Sequence, residues 1–223
     1  AELVPLQSSA DVQVRWQSNI GETDDFVLTP AVVGESVYVA GRDGSLARLD
    51  NGRQTWRIAT GEKLAGGVGA DRRLVVVGTE KGQVMAFDAE SGKPRWTARV
   101  SSEVLAAPVV GENLVAVRSV DARIVGLDVA DGKRRWAYQR VTPALTLRSN
   151  VGMLMVDNMV LAGFPGGKLV AINGKNGAAT WEATVAVPKG ATELERVADI
   201  TSLPVADERE VCAAAYQGRV ACF

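Results

Sequence analysis

Short apolar runs, each bounded by Gly, Asp or Asn, follow one another along most of this chain. The third unit displays the pattern well: "AAPVVG", "NLVAVRS", "RIVGLDV" and "RRWAYQRV". Four such runs are rich in Val, Leu and Ala, and none sustains a 3.6-residue period over three turns. They therefore predict four short β-strands joined by tight turns. The first two runs are nearly continuous in apolar residues, as expected close to a crowded centre. The run holding the Trp alternates with charges and suits an outer edge.

The pattern repeats. Trp16, Trp56, Trp96, Trp136 and Trp181 are spaced by 40, 40, 40 and 45 residues. A fixed period near 40 with four strands per period is the signature of a β-propeller blade. Each Trp after the first follows a similar phrase: "ARLDNGRQTW", "AFDAESGKPRW", "GLDVADGKRRW" and "AINGKNGAATW". Asp50, Asp88, Asp128 and Asn173 open a turn, and Gly52, Gly92, Gly132 and Gly177 supply the positive φ it demands. A second turn lies upstream as "RDGS", "EKGQ", "PGGK" or "YQGR". In the third unit "VDAR" replaces it, and Ala122 stands where Gly is expected. The Trp rings are expected to fill the space between neighbouring blades and cover the turn glycines, at about 2–3 kcal/mol per buried ring. A row of exposed Trp for ligand stacking is the less economical alternative.

The expected architecture is thus an all-β propeller, with blades at about 28–60, 64–100, 103–140 and 146–185 and an incomplete one at 200–223. An orphan outer strand at about 12–19, "VQVRWQSN", precedes them. Such a strand usually completes the last blade and removes exposed edges. Either the chain closes as five blades or it is part of a longer propeller.

Composition narrows the chemistry. The 223 residues carry a net charge of −1, with 47% apolar and 23% charged residues. This balance lacks the broad basic field that nucleic-acid binding requires. No apolar run approaches the roughly 20 residues that span a bilayer. The opening "AELVPLQSSADVQ" lacks the basic and apolar regions of a signal peptide, which fits a cytosolic protein or a mature or trimmed form. The chain has no histidine, so the commonest general base and metal ligand are missing. Cys212 and Cys222 flank the turn "AYQG" and cannot assemble a zinc site alone. They are either a cross-strand disulfide in an oxidising compartment or two small buried side chains. The glycines of "AGGVGAD", 65–71, precede a strand rather than a helix and lack a P-loop's Lys-Ser/Thr, so tight blade packing explains them better.

Two segments interrupt the repeat. "VTPALTLRSN", 141–150, joins the outer strand of the third blade to the fourth blade, on one rim. In an extended loop, Leu145 and Leu147 face one way and Thr146 the other. Two leucines beside Arg148 have the character of an interface centre. Alternatively, the leucines cap the blade core and Arg148 caps a strand end. The second segment, "VPKGATELERVAD", is the most charged and least β-like stretch, and "TELERVAD" reads as a helical turn or two. It lies on the rim beside the first loop, or it is simply a solvated charged loop.

The "LDxxxGxxxW" phrase at this period resembles the blades of pyrroloquinoline-quinone-dehydrogenase-like propellers. Within that group, "PALTLRSN", "GATELERVADITSLPV" and "AAAYQGRVACF" resemble segments of the BamB family, periplasmic lipoproteins of the outer-membrane barrel-assembly machinery. The resemblance covers essentially the whole chain and implies a non-enzymatic scaffold without a cofactor. It implies eight blades, of which this chain matches the first five, and a lipidated cysteine upstream of Ala1. It implies that Leu145, Leu147, Arg148 and Asp199 bind the periplasmic POTRA domains of BamA, the central insertase. Unfolded outer-membrane proteins are further expected partners. A second family acid falls on Thr201, a departure that removes one expected charge pairing. Arg148 and Asp199 are expected to pair with each other and order the rim.

Two rivals remain at this point. A quinoprotein dehydrogenase needs Ca²⁺ ligands and a catalytic Asp around its cofactor. The sequence shows no convergent set of these, no vicinal Cys pair, and too short a chain. A ligand-sensing propeller, or one with another protein partner, differs by using its central funnel rather than its rim loops.

Overall fold

A computed structural model of the chain describes residues 10–217 and 219–223. Most of the opening stretch read for a signal peptide, residues 1–9, lies outside the described residues, as does Gly218 of the last hairpin. The described residues form five antiparallel sheets and no helix. The first holds β1 (Ala31–Val33), β2 (Ser36–Ala40), β3 (Ser45–Asp50) and β4 (Arg53–Ala59). The second holds β5 (Gly69–Ala70), β6 (Leu74–Gly78), β7 (Gln83–Asp88) and β8 (Pro94–Arg99). The third holds β9 (Val109–Val110), β10 (Leu114–Ser119), β11 (Arg123–Asp128) and β12 (Arg134–Gln139). The fourth holds β13 (Leu154–Val156), β14 (Met159–Phe164), β15 (Lys168–Asn173) and β16 (Ala179–Thr184). The fifth has three strands, β17 (Val205–Ala206), β18 (Val211–Ala215) and β19 (Arg219–Cys222). Strand order follows chain order in every sheet. The short first strands β1, β5, β9 and β13 neighbour one another, and the Trp-bearing strands lie at the opposite edge. This is the all-β propeller architecture.

The core is a series of layers between successive blades, sorted by the two-residue pleat. Val75 and Val77 pack with Tyr38 and Leu46 of the first blade. Their neighbours Leu74 and Val76 point the other way, onto Val115, Val117 and Val125 of the third. Leu114 and Ala116 then meet Val160 and Phe164 of the fourth, and Leu161 and Leu169 meet Val211 and Ala213 of the fifth. Both faces of a middle strand are therefore covered, which is why β6 reads as an unbroken apolar run and is buried at every position.

The Trp motif joins blades. At Gly92, Gly132 and Gly177 a β-carbon would lie 3.1, 2.5 and 2.8 Å from the rings of Trp56, Trp96 and Trp136 respectively. Each ring belongs to the preceding blade. The indole N–H groups of these Trp donate to the carbonyls of Ala89, Val129 and Gly174, at 3.2, 2.9 and 2.8 Å. In each case the acceptor is the residue after the Asp or Asn that opens the next blade's turn. The turn glycines have φ between 69° and 81°, so they provide both the backbone shape and the flat seat. A register shift follows each Trp pairing, at Arg48/Leu49, Ala86/Phe87, Gly126/Leu127 and Ala171/Ile172. Such bulges re-aim a side chain. The "AGGVGAD" stretch packs as tightly as its glycines imply: a β-carbon on Gly69 would fall 2.1 Å from the Pro108 carbonyl.

The expected orphan strand at 12–19 is corrected: these residues form no strand and are exposed. A strand needs a ladder partner. This segment instead lies beside the first blade, where a β-carbon on Gly52 would fall 2.6 Å from Trp16. Trp16 thus occupies on Gly52 the place that Trp56 occupies on Gly92. It does not complete the fifth sheet, which ends with β19. The fourth sheet also starts later than the expected 146, at Leu154, because the preceding residues are held as a rim loop. Cys212 and Cys222 face each other on β18 and β19 and form a disulfide, the first of the two alternatives.

Candidate functional site

The two interrupting segments meet on one rim, and Asp199 binds them together. Asp199 is 4% exposed. Its Oδ2 accepts the Leu147 N–H at 2.7 Å and its Oδ1 accepts the Gly166 N–H at 3.1 Å. Its own carbonyl accepts the Tyr216 N–H at 2.7 Å. One residue from the connection between the fourth and fifth blades therefore ties the 141–150 loop to the β14–β15 hairpin and the β18–β19 hairpin. Hydrogen bonds to a carboxylate in a shielded site are among the stronger ones available to a loop.

The loop so held presents Leu145 and Leu147 at 42% and 37% exposure. They do not cap a blade core. Arg148 does not pair with Asp199, contrary to the sequence expectation. Its Nη2 donates to Glu103 Oε2 at 2.8 Å, and Asp199 is buried with both oxygens engaged. The reason is geometric: the carboxylate points inward to backbone donors, while the Arg148 side chain runs outward across the rim. Thr201 is exposed, and its N–H donates to the Ala214 carbonyl at 3.1 Å.

The "TELERVAD" stretch forms one hydrogen-bonded turn. Glu195 Oε2 accepts the N–H groups of Ala191 and Thr192, and Thr192 Oγ1 accepts the Glu195 N–H. This reciprocal arrangement is a capping box. It holds the Glu195 carboxyl below its usual range, chiefly through the Thr192 and Ala191 N–H groups and then the Thr192 hydroxyl. Leu194, on this turn, is 70% exposed.

Beneath the loop lies a cavity of about 410 Å³. Arg118, from β10, lines it. Burial pushes the Arg118 guanidinium down to about 10, against an opposing pull from the Asp199 charge. Sequence reasoning missed Arg118 and Glu103. Arg118 did leave a signal: it is the one charge within the apolar run "NLVAVRS". Glu103 left none, since only the fold brings it to Arg148.

The family model described as outer membrane protein assembly factor BamB matches residues 42–223. The chain belongs to the BamB family. The BamB of Nitrosomonas eutropha is 48% identical over 225 residues, covering 100% of this chain and 55% of the relative. That of Bordetella pertussis is 43% identical, covering 100% and 58%. The crystal structure of BamB from Moraxella catarrhalis superposes with a TM-score of 0.82 at 29% identity, covering 88% of this chain and 60% of that one. The chain thus spans a little over half the length of the curated BamB relatives it matches. These relatives carry the name of an assembly factor rather than that of an enzyme.

Proposed function

We propose that this chain is the docking half of a scaffold subunit of the outer-membrane β-barrel assembly machinery. It acts on the periplasmic face of the outer membrane, tethered through a lipid anchor upstream. It binds the POTRA domains of BamA with the rim formed by Leu145, Leu147 and Arg148, and so aids delivery of unfolded outer-membrane proteins. Catalysis has no part in this reading.

The observation that carries it is the exposure of two leucines on a loop clamped from below. Solvent-exposed apolar side chains on an ordered loop lose little conformational entropy on association, and their burial contributes favourably. Arg148, held by Glu103 at the loop's edge, adds charge-directed orientation. The Asp199 carboxylate serves this surface from behind, as a positioning group rather than a contact.

A pull-down of purified BamA POTRA domains tests the reading, with the unaltered chain against Leu147→Ala and Arg148→Ala, each checked for fold by circular dichroism. Loss of capture with an intact fold supports it. Capture unchanged by both substitutions places the interface elsewhere.

A further inference from the structure

Arg118 is a cation with no acceptor. Among the described residues none of its donors makes a hydrogen bond, and its Nη1 is sealed from solvent. The guanidinium lies 5.4 Å from the centre of the Phe164 ring, which covers a face but takes no N–H. Every acid nearby is already engaged. Glu103 holds Arg148. Asp121 accepts from Ser101 and Ser119 and pairs with Arg123. Asp199 holds two backbone N–H groups. A buried guanidinium left without an acceptor opposes folding. Such a group stays in place at a binding site when a ligand supplies what the protein withholds.

The cavity beside Arg118 is shaped to admit that ligand. Leu105, Leu147 and Pro165 line it with Ser119, Arg118 and Arg148. We infer that the cavity receives a carboxylate, carried on an acidic side chain of the polypeptide that seats on Leu145 and Leu147, with Arg118 as its cationic partner. This inference rests on the docking reading above. A carboxylate matches the guanidinium fork better than any other polypeptide group. Glu103, Asp121 and Asp199 oppose the entry of a free anion. The acid must therefore be delivered by a chain already anchored on the two leucines, which raises its local concentration. Because Arg118 sits on a strand rather than a loop, the acceptor's position is dictated by the blade. The site thereby selects among apolar-tipped partners.

The test is the affinity of the full chain for BamA POTRA domains, measured by calorimetry for the unaltered protein, Arg118→Met, Arg118→Lys and Leu147→Ala. Arg118→Met is expected to weaken binding at least about tenfold, and Arg118→Lys by less. One Asp→Asn or Glu→Gln change among the POTRA acids is expected to reproduce that loss. It should add nothing further when combined with Arg118→Met. Thermal unfolding checks each variant, and if Arg118→Met does not fold, the Arg118→Lys comparison and the cycle built on it decide. Unaltered affinity in the folded Arg118 variants, with binding lost in Leu147→Ala, overturns the carboxylate site and leaves docking intact. Absence of binding by the unaltered protein overturns the docking reading and this inference with it.

Discussion

Asp199 and Leu147, 52 residues apart in the chain, are joined by a 2.7 Å hydrogen bond from the Leu147 N–H to the buried Asp199 carboxylate. The contact links the loop leaving the third blade to the segment entering the fifth. It makes the position of an exposed leucine depend on a buried side chain from a distant segment.

Asp199→Ala is accordingly expected to cost about 1–3 kcal/mol, because it leaves the Leu147 and Gly166 N–H groups without their acceptor. Asp199→Asn keeps one acceptor oxygen and is expected to fall between. Amide exchange at Leu147 and Gly166 is the direct readout, with POTRA affinity falling in parallel. Exchange unchanged at both amides in a folded Asp199→Ala protein would show that the loop is held by something else.

The Trp seats differ in depth. Trp136 is 7% exposed, whereas Trp16 is 41% exposed. Trp136 lies opposite Gly126 in its own sheet and against Gly177 of the next, so it is gripped from both sides. Trp136→Ala is expected to cost about 3–5 kcal/mol and Trp16→Ala less than about 1 kcal/mol. Urea unfolding of the two variants compares them directly; equal losses would contradict the layered packing described above.

Ala122 sits at φ 59°, in the hairpin position that other blades fill with Gly. A left-handed non-glycine residue costs about 1–2 kcal/mol, partly offset by glycine's greater freedom in the unfolded chain. Ala122→Gly is expected to stabilise the protein by up to about 1 kcal/mol, and Ala122→Val to destabilise it. Paired melting curves check the sign.

Glu195 predicts a pH response in its own turn. Its folded pKa lies below the ordinary 4.5, so the cap is fully present above 4.5. It is lost as pH falls through the lower folded value, where protonation removes the acceptor charge. Exchange at the Ala191 and Thr192 amides is expected to quicken, beyond its intrinsic pH dependence, as pH falls below the ordinary carboxylate value and through the lower folded one. Glu195→Gln should abolish that response while keeping part of the cap.

Much of this protein is legible in its sequence. The 40-residue Trp period, the turn glycines and the apolar runs mark the blades because each arises from local geometry: a pleat, a positive φ, a ring over a flat seat. The rim was legible only as far as its exposed leucines. Arg148 and Asp199 belong to the two interrupting segments that meet on one rim, yet they find different partners. Their side chains leave the rim in opposite directions, which no spacing in the chain records. Segment 12–19 shows the same limit. Its alternation and Trp16 are those of an outer strand, but strand formation also needs an open ladder at the right place.

The sequence by itself determined the β-strand repeat, the turns, the inter-blade role of the Trp residues and the places where two segments interrupt the repeat. These depend on residues at most about one blade apart, and the 40-residue period writes them repeatedly. Only the tertiary structure decided that Cys212 and Cys222 are bonded, that Asp199 turns inward to clamp Leu147, and that Glu103 rather than Asp199 takes Arg148. It alone left the Arg118 guanidinium without an acceptor beside the cavity under the rim loop. Those outcomes depend on how stacked blades bring distant segments together, and on which polar groups find acceptors once water is excluded.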